Sequence, residues 1–181
     1  NCIKAAKIII NSIEFQKEFK KKFNIKTTCI YNPLNKKEII SKSKEKIDLN
    51  FFKKKKKLKI LNIGRFTDQK DHLTLLRSIK ILKEKYNLKF VLVIMGRGKN
   101  EKNIKNFINK NNLNQTVKVI GFKKNPYKYI KNCDLFVLSS RFEGLPNVLL
   151  EAITLKKFVI SSNCPTGCLL YTSPSPRDGL L

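Results

Sequence analysis

From Leu58 onward, short apolar runs alternate with amphipathic segments, and only brief loops separate them. The pattern predicts strands at residues 58–63, 89–95, 117–121, 134–139 and 157–161. It predicts helices at residues 71–86, 101–111 and 146–155, with a short one near 126–132. Strands that alternate with helices in this way form a parallel sheet covered by helices on both faces. The predicted fold class is therefore α/β, with a doubly wound parallel sheet.

The first third of the chain is less regular. β-Branched runs predict short strands at residues 7–11 and 27–31. Between them, Ser12 is a suitable N-cap for a helix that runs to Phe23. Residues 34–57 contain a dense lysine run and are interpreted as linker and irregular surface. A composition with 41% hydrophobic residues is enough to bury a core, so a folded protein is expected.

The chain is strongly basic, with 39 Lys and Arg against 13 Asp and Glu. A basic excess of this size is typical of proteins that bind nucleic acids. Here nearly all of it is lysine, accompanied by frequent Asn and Ile, which is the composition that an A/T-rich genome favours. Proteins that read nucleic acids depend more on Arg and on exposed aromatic residues. A nucleic-acid partner is therefore disfavoured, whereas peripheral contact with an anionic membrane agrees with a lysine-rich surface.

Neither a membrane span nor a metal site is indicated by the sequence. The apolar run at 90–95 is far too short to cross a bilayer. The five cysteines form no Cys-x-x-Cys pair, and His72 is the single histidine, so no metal site is predicted and no cofactor is expected. The scattered cysteines are typical of reduced thiols in a cytosolic protein. We therefore expect a cytoplasmic location, with peripheral contact at the inner face of the membrane as an extension of it.

Two glycine-containing loops follow predicted strands. In the first, Gly64 allows a tight turn, and Arg65 and Lys70 supply two cations suited to a diphosphate. In the second, Gly96 and Gly98 follow the strand at 89–95. This second loop lacks the third glycine that a dinucleotide-binding fingerprint requires. Because the carboxyl ends of parallel strands share one edge of the sheet, both loops are expected at the ligand-binding edge.

A third loop carries the most specific pattern of the chain. Glu143 and Glu151 are separated by seven residues, around a Gly-Leu-Pro turn that opens an apolar helix. Pro146 suits the first position of a helix, where its missing N–H costs nothing. The free backbone N–H groups of Asn147 and Val148, together with the helix dipole, then form an anion site.

The string Ser-Ser-Arg-Phe-Glu-Gly-Leu-Pro-Asn-Val-Leu-Leu-Glu-Ala at 139–152 resembles the signature of the group-1 (GT4) family of glycosyltransferases. These are retaining enzymes with two facing Rossmann-like domains, the GT-B fold. The resemblance runs from about residue 6 to residue 167 and is densest from residue 58. It implies that this chain is the C-terminal, nucleotide-sugar-binding half of such an enzyme, truncated at both ends.

The resemblance also implies a role for each candidate residue. Three residues are implied in catalysis, namely Glu143, which contacts the donor sugar, and the two cations that take up charge on the diphosphate, Arg65 and Lys70. The implied donor-binding residues are Gly64, Arg65, Lys70, Gly96, Gly98, Phe122, Glu143, Gly144, Leu145, Asn147, Val148 and Glu151. Within this set, Glu151 suits the ribose hydroxyls, and Phe122 lies at the strand end beside the base.

The same resemblance divides the chain into four parts. Residues 1–33 correspond to the end of an N-terminal acceptor domain, and residues 34–57 to the linker. Residues 58–167 form an incomplete nucleotide-sugar-binding domain. Residues 168–181 depart from the pattern, and residues 168–178 resemble a translated sequencing adapter, so we interpret them as a non-native tail.

The implied function is transfer of a sugar from a nucleotide sugar, for which we expect a UDP-sugar. The acceptor is expected to be a glycan or a lipid-linked glycan in cell-surface polysaccharide synthesis, and the fragment by itself is expected to be inactive. Two alternatives stay open. One is a basic nucleic-acid-binding module with a Rossmann-like core, and the other is a nucleotide-sugar epimerase of the same fold.

Overall fold

The computed structural model describes residues 7–53 and 57–164 of the chain. The strands in these residues are β1 Ile9–Ile10, β2 Thr28–Cys29, β3 Leu58–Ile63, β4 Phe90–Met95, β5 Val117–Ile120, β6 Leu135–Leu138 and β7 Phe158–Ser161. The α-helices are α1 Ile13–Phe23, α2 Lys36–Ser43, α3 His72–Tyr86, α4 Glu101–Lys110, α5 Tyr127–Asn132 and α6 Asn147–Thr154. Short 3₁₀ segments lie at Asn50–Lys53 and Asp68–Lys70. From β3 onward, each predicted strand and helix agrees with the structure to within one residue at each end.

The main sheet has five parallel strands in the order β5-β4-β3-β6-β7. The chain enters at the central strand β3, extends the sheet outward through β4 and β5, and then returns to the other side of β3 with β6 and β7. This confirms the doubly wound α/β fold. The strand order reverses between β3 and β6, and loops at such a switch point form the ligand crevice of open α/β sheets. β1 and β2 form a separate parallel pair.

Every residue of β4 is buried, as expected for a strand with helices on both faces. Leu92 and Ile94 pack into one core cluster together with residues of α3 and α4. Val91, Val93 and Met95 point to the opposite face and pack into a second cluster with residues of α2, α5 and α6. The period-2 alternation of side chains thus divides one apolar run between two cores.

The helix termini explain where α1 and α3 begin and end. The hydroxyl of Ser12 accepts a hydrogen bond from the backbone N–H of Phe15 at 3.3 Å, which confirms the predicted cap of α1. The carboxylate of Asp71 accepts one from the N–H of Thr74, also at 3.3 Å, at the start of α3. Asn24 and Asn87 end the two helices with positive φ values of 53° and 48°, a conformation that Asn tolerates better than most residues.

The interpretation of residues 34–57 as irregular surface was wrong for α2. Asn35 caps this helix by accepting a hydrogen bond from the N–H of Glu38 at 3.1 Å. The helix packs against α5 and α6, and Ile39 enters the core beneath them. The hydroxyl of Tyr129 donates to Asp48 at 2.5 Å and ties the following segment to α5. Because few apolar side chains of α2 face inward, its lysine-rich sequence masked the helix.

The structure also bears on the expectations about the cysteines and about membrane spans. Cys29 and Cys133 are free thiols, but Cys164 is disulfide-bonded, so the expectation of reduced cysteines was wrong for Cys164. The segment that follows Cys164, including the suspected adapter-derived tail, lies outside the described residues. No helix in the described part of the chain has both the length and the apolarity needed to cross a membrane.

Adjacent isoleucines of α2 test whether this helix is part of the folded core. Ile39 is 2% exposed, whereas Ile40 is 47% exposed. We expect Ile39→Ala to lower the free energy of unfolding by about 2–5 kcal/mol, because it leaves a cavity in the core. The matched control Ile40→Ala should change it by less than about 0.5 kcal/mol. Urea unfolding of the purified variants measures both values, and equal effects would show that α2 does not pack as described.

Candidate functional site

The predicted site residues gather at the carboxyl edge of the main sheet, on both sides of the switch point. Gly64, Arg65 and Lys70 follow β3, while Gly96 and Gly98 follow β4. Phe122 follows β5, and the Glu143 loop leads from β6 into α6. Four different loops therefore contribute to one edge, which is the expected position of a ligand site in this topology.

Close backbone packing explains the glycines after β4. A Cβ at position 96 would lie 1.9 Å from the carbonyl oxygen of Gly64, and a Cβ at position 98 would lie 2.6 Å from that of Phe66. The N–H of Phe66 donates to the carbonyl of Arg97 at 2.9 Å, which holds the two loops together. Only glycine fits where two backbones approach this closely. The glycines thus shape the floor of the site, next to Gly64.

An ion pair joins the loops on either side of the switch point. The ammonium group of Lys70 pairs with Oε1 of Glu143, and both side chains are largely buried. The hydroxyl of Ser140 donates a hydrogen bond to the same oxygen at 2.5 Å. The structure therefore brings together two of the three residues for which catalysis is implied, and a buried carboxylate is stabilised by a cation and a hydroxyl group.

Backbone and amide contacts align these same two loops. The N–H of Arg141 donates to the carbonyl of Gln69 at 2.8 Å, and the Gln69 side-chain amide donates to the carbonyl of Phe142 at 3.0 Å. The hydroxyl of Ser139 donates to the carbonyl of Lys70 at 2.9 Å. Because these three hydrogen bonds join the two loops, the positions of Lys70 and Glu143 do not depend on the ion pair alone.

Arg65 is the third residue of the implied catalytic set, and the structure leaves its side chain exposed. Its guanidinium group has a long contact of 3.5 Å with Oε1 of Gln69. Such a contact is at the limit of a hydrogen bond and holds the side chain only weakly. The group can therefore turn toward a ligand at the edge of the sheet.

The start of α6 has the features of an anion site. Pro146 is the N-cap, with φ −77° and ψ 92°. The sequence predicted it as the first residue of the helix, which was wrong by one position. In the described part of the chain, the N–H groups of Asn147 and Val148 make no hydrogen bond with protein. They point from the positive end of the helix dipole. The Leu145 side chain is buried in the core, so a ligand would meet only its backbone.

Glu151 lies on α6, one turn further into the protein, and is partly buried. Burial raises the pKa of its carboxyl group above the usual value. Among the described residues it has neither a hydrogen-bond partner nor an ion-pair partner. A half-buried carboxylate without a partner costs free energy, and ligand hydroxyl groups would supply the missing donors.

A cavity of about 350 Å³ lies beside this region, between the loops after β3, β4 and β5. Apolar side chains and glycine backbone form most of its wall, and Arg97 and Lys123 add positive charge. The guanidinium group of Arg97 lies 5.3 Å from the centre of the Phe122 ring, in cation–π geometry. Phe122 is 61% exposed, so it is not the core residue that most phenylalanines are.

Sequence reasoning did not select three side chains that the structure places at the site. One is Arg97, whose position between two glycines after a strand was the available signal. Another is Asn32, whose amide donates to Oδ1 of Asn147 at 3.0 Å. The third is Asn11, which lies so close to Gly144 that a Cβ there would approach its Oδ1 to 3.1 Å.

His72 is buried beneath the site without a hydrogen-bond partner for either ring nitrogen in the described residues. Its ring packs edge-on against Phe66, with 5.1 Å between the ring centres. Burial, followed by the nearby charge of Lys70, lowers the pKa of His72 from 6.5 to about 4, against a smaller raising effect of Asp71. The imidazole is therefore neutral at pH 7, which suits a packing role better than that of a base.

The described residues contain no group of three or more His, Cys, Asp or Glu side chains that could hold a metal ion. Several of the charged groups discussed above lie at the carboxyl edge. Arg65, Lys70 and the α6 N-terminus supply positive charge, and Glu143 and Glu151 supply carboxylates. This combination can bind a phosphorylated ligand that also carries hydroxyl groups.

The fold and this site define an α/β domain of the kind that binds nucleotide-like ligands at a switch point. The sequence profile of the family "Glycosyl transferases group 1" matches residues 43–172, which is more than half of the chain. The chain therefore belongs to the group 1 glycosyltransferase family, as its resemblance to that family implied.

Two proteins with similar sequences are named as sugar-transferring enzymes. The chain is 46% identical over 108 residues to an uncharacterised glycosyltransferase of Methanocaldococcus jannaschii, which covers 59% of this chain and 26% of that protein. It is 34% identical over 167 residues to a Campylobacter jejuni N-acetylgalactosamine-N,N'-diacetylbacillosaminyl-diphospho-undecaprenol 4-alpha-N-acetylgalactosaminyltransferase, which covers 91% of this chain and 43% of that protein. The chain thus spans less than half the length of either relative.

Solved structures show the same fold. Staphylococcus aureus TarM, crystallised with UDP and other ligands, matches 92% of this chain and 32% of its own, with a TM-score of 0.75 and 20% identity. Anabaena Alr3699/HepE in complex with UDP-glucose matches 89% of this chain and 46% of its own, with a TM-score of 0.74 and 20% identity. At this level of identity the likeness concerns the fold, and it confirms the predicted GT-B type of α/β domain.

Gly96→Ala tests the close packing of the floor. A Cβ at position 96 must displace the Gly64 carbonyl, so we expect the free energy of unfolding to fall by about 1–3 kcal/mol. Gly121→Ala is the matched control, because a Cβ at that position meets nothing within 4 Å. Thermal or urea unfolding compares the two variants. A Gly96→Ala protein as stable as the control would contradict the described approach of the loops.

The lowered pKa of His72 predicts that acid destabilises the protein. The unfolded histidine binds its proton near pH 6.5, whereas the folded one does so near pH 4. The full contribution of neutral His72 to the free energy of unfolding is therefore present above about pH 6.5. As the pH falls toward 4, the free energy of unfolding decreases by about 3 kcal/mol, at ~1.36 kcal/mol for each unit of difference in pKa. We expect His72→Leu to reduce this loss in urea unfolding at pH 7.5 and 4.5. An unchanged difference between the two pH values would contradict the assignment.

Proposed function

We propose that the full-length protein containing this chain is a retaining glycosyltransferase that uses a nucleotide sugar, most simply a UDP-sugar. One observation carries the proposal. The Lys70–Glu143 ion pair and the exposed Arg65 lie around the same corner of the sheet as the start of α6, whose first N–H groups have no acceptor among the described residues. Positive groups for a diphosphate thus stand next to a carboxylate that suits sugar hydroxyls.

We assign each part of the donor to a part of the site by charge. The diphosphate would lie against Arg65, Lys70 and the N–H groups of Asn147 and Val148, since these are the positive groups of the corner. The ribose would use Glu151, whose carboxylate has no partner among the described residues. The base would enter the cavity of about 350 Å³, where Phe122 offers an aromatic face.

The same arrangement supports a mechanism without a metal ion. As the bond between the sugar and the diphosphate breaks, negative charge grows on the leaving diphosphate. Arg65, Lys70 and the helix N-terminus are preorganised to stabilise that charge. Glu143 would hold the sugar hydroxyls and stabilise positive charge on the ring. The acceptor oxygen would bond to the anomeric carbon from the same face, and its proton would pass to the departing diphosphate oxygen. Retention of configuration at the sugar follows from this same-face displacement.

The names of the relatives support a glycan or lipid-linked acceptor. The Campylobacter jejuni relative is named for a diphospho-undecaprenol acceptor, and another relative, 37% identical over 119 residues, is the capsular polysaccharide biosynthesis glycosyltransferase CapH of Staphylococcus aureus. We therefore include synthesis of cell-surface polysaccharide in the proposal. Work on a lipid-linked acceptor agrees with a cytoplasmic protein whose lysine-rich surface contacts an anionic membrane.

The proposal also includes the domain division. Residues 1–33 would complete an acceptor-binding domain that precedes them, and the contact of Asn32 with Asn147 joins that part to the donor loop. Residues 58–167 would form most of the donor-binding domain, although α2 packs with it as well. Because acceptor binding requires the other domain, we expect residues 1–181 alone not to catalyse transfer.

Two substitutions test the donor site in the full-length enzyme. Glu151→Gln removes the proposed acceptor for ribose hydroxyls, and Arg65→Ala removes a cation from the diphosphate. Since hydrogen bonds to charged groups contribute ~1.5–3 kcal/mol, each change should weaken UDP binding in calorimetry about tenfold to hundredfold. Transfer from the UDP-sugar should fall as well. Glu84→Gln is the matched control, because Glu84 is exposed on α3, where it only approaches Lys80.

The same assays separate the alternatives. Near-normal UDP binding and transfer by both variants would refute the site. Conversion of the donor without any acceptor would instead indicate an epimerase. Binding of DNA or RNA that weakens steeply with salt, without any response to UDP or UDP-sugars, would favour the nucleic-acid-binding module.

A further inference from the structure

Ser140 has no part in the proposed mechanism so far, yet among the described residues it is one of the most deeply buried polar side chains, at 1% exposure. Its hydroxyl donates to Oε1 of Glu143 at 2.5 Å, and this is the oxygen that pairs with Lys70. A serine hydroxyl rotates freely in water. Here burial and the carboxylate fix it in one direction, toward the side chain proposed to hold the donor sugar.

Ser140 is itself fixed to the sheet. Its carbonyl accepts a hydrogen bond from the hydroxyl of Ser162 at 2.5 Å, and the N–H of Ser162 donates to the carbonyl of Leu138 at 2.9 Å. Ser162 directly follows β7, and Leu138 is the last residue of β6. The position of the Ser140 hydroxyl is therefore set by two neighbouring strands and does not depend on the flexible end of a long side chain.

Binding of the donor changes what Lys70 must do. In the structure its ammonium group pairs with Glu143, but the proposed function also assigns it to the diphosphate, which carries more negative charge. As the diphosphate draws this cation, Oε1 of Glu143 loses part of its compensation while it stays buried. Loss of compensation for a buried carboxylate is costly and would let the side chain turn away. The Ser140 hydroxyl counteracts this, because its position does not depend on the ligand.

We propose that Ser140 is a positioning residue that keeps the Glu143 carboxylate directed at the donor sugar while Lys70 serves the diphosphate. The inference rests on the proposed function, because it needs Glu143 to act on the sugar. It predicts that loss of the hydroxyl lowers the rate of transfer more than the affinity for the nucleotide. Ser140 reaches Glu143, whereas the groups assigned to the nucleotide are Arg65, Lys70, Glu151 and the α6 N-terminus.

The test compares serine variants of the full-length enzyme. Ser140→Ala removes the donor, and Ser140→Cys keeps nearly the same shape with a much weaker donor. Both should lower kcat about tenfold or more, with the Kd for UDP within about twofold of the parent. Ser78→Ala is the matched control, because that hydroxyl is exposed and bonds only within α3, to the carbonyl of Thr74. It should leave kcat and Tm unchanged.

A double-mutant cycle separates positioning from general support of the loop. With Glu143→Gln as the background, measured at high enzyme concentration, Ser140→Ala should have almost no further effect on kcat. Equal effects of Ser140→Ala with and without Glu143 would overturn the inference, and so would a Ser140→Cys enzyme with full activity. If Ser140→Ala is too unstable to purify, the cycle is run with Ser140→Cys.

The failure of the inference can be distinguished from the failure of the proposed function. If the parent enzyme neither binds UDP nor transfers sugar from a UDP-sugar, the proposed function itself fails. If Glu143→Gln transfers sugar normally, the role of Glu143 fails, and that of Ser140 with it. If UDP binds and Glu143→Gln is impaired but Ser140→Ala is fully active, only the role of Ser140 is refuted.

Discussion

The ion pair between Lys70 and Glu143 is the interaction on which the organisation of the site depends. It spans the two strands, β3 and β6, between which the strand order reverses, so it closes the crevice that the topology opens. The two loops that carry the partners are also joined by hydrogen bonds from Arg141 to Gln69, from Gln69 to Phe142 and from Ser139 to Lys70. A buried pair of this kind contributes little net stability but strongly specifies geometry, because either charge alone would be costly to bury.

Charge elsewhere on the molecule has little influence on that geometry. The chain carries a formal charge of +26, yet the described ion pairs outside the site are mostly exposed contacts between lysines and carboxylates. Such pairs contribute ~0–1 kcal/mol and are screened by salt. The buried Lys70–Glu143 pair is screened much less. An excess of surface lysine can therefore accumulate through genome composition while the chemistry of the site stays the same.

Sequence reasoning recovered the sheet because its signals are local. An all-apolar strand such as β4 followed by a glycine loop is visible in a short window, and the Glu143–Glu151 string has a specific spacing. It missed α2 because one buried face, centred on Ile39, is hidden among lysines. It placed Pro146 one position too far into its helix, since a proline suits both positions and only backbone dihedral angles distinguish them. The hydroxyl of Ser140 could not be singled out, because its partners depend on tertiary packing.

The residues at the site fall into two kinds, and the distinction follows from how each is held. Gly96 and Gly98 lie where two backbones pack closely, so the backbone at the floor of the site cannot shift. Arg65 and Glu151 lack strong partners in the described structure, and therefore keep their capacity for a ligand. Glu143 combines both properties, because it is buried and paired in advance yet borders the open edge. A site built in this way orders the protein groups before the donor arrives, which reduces the entropy lost when the donor binds.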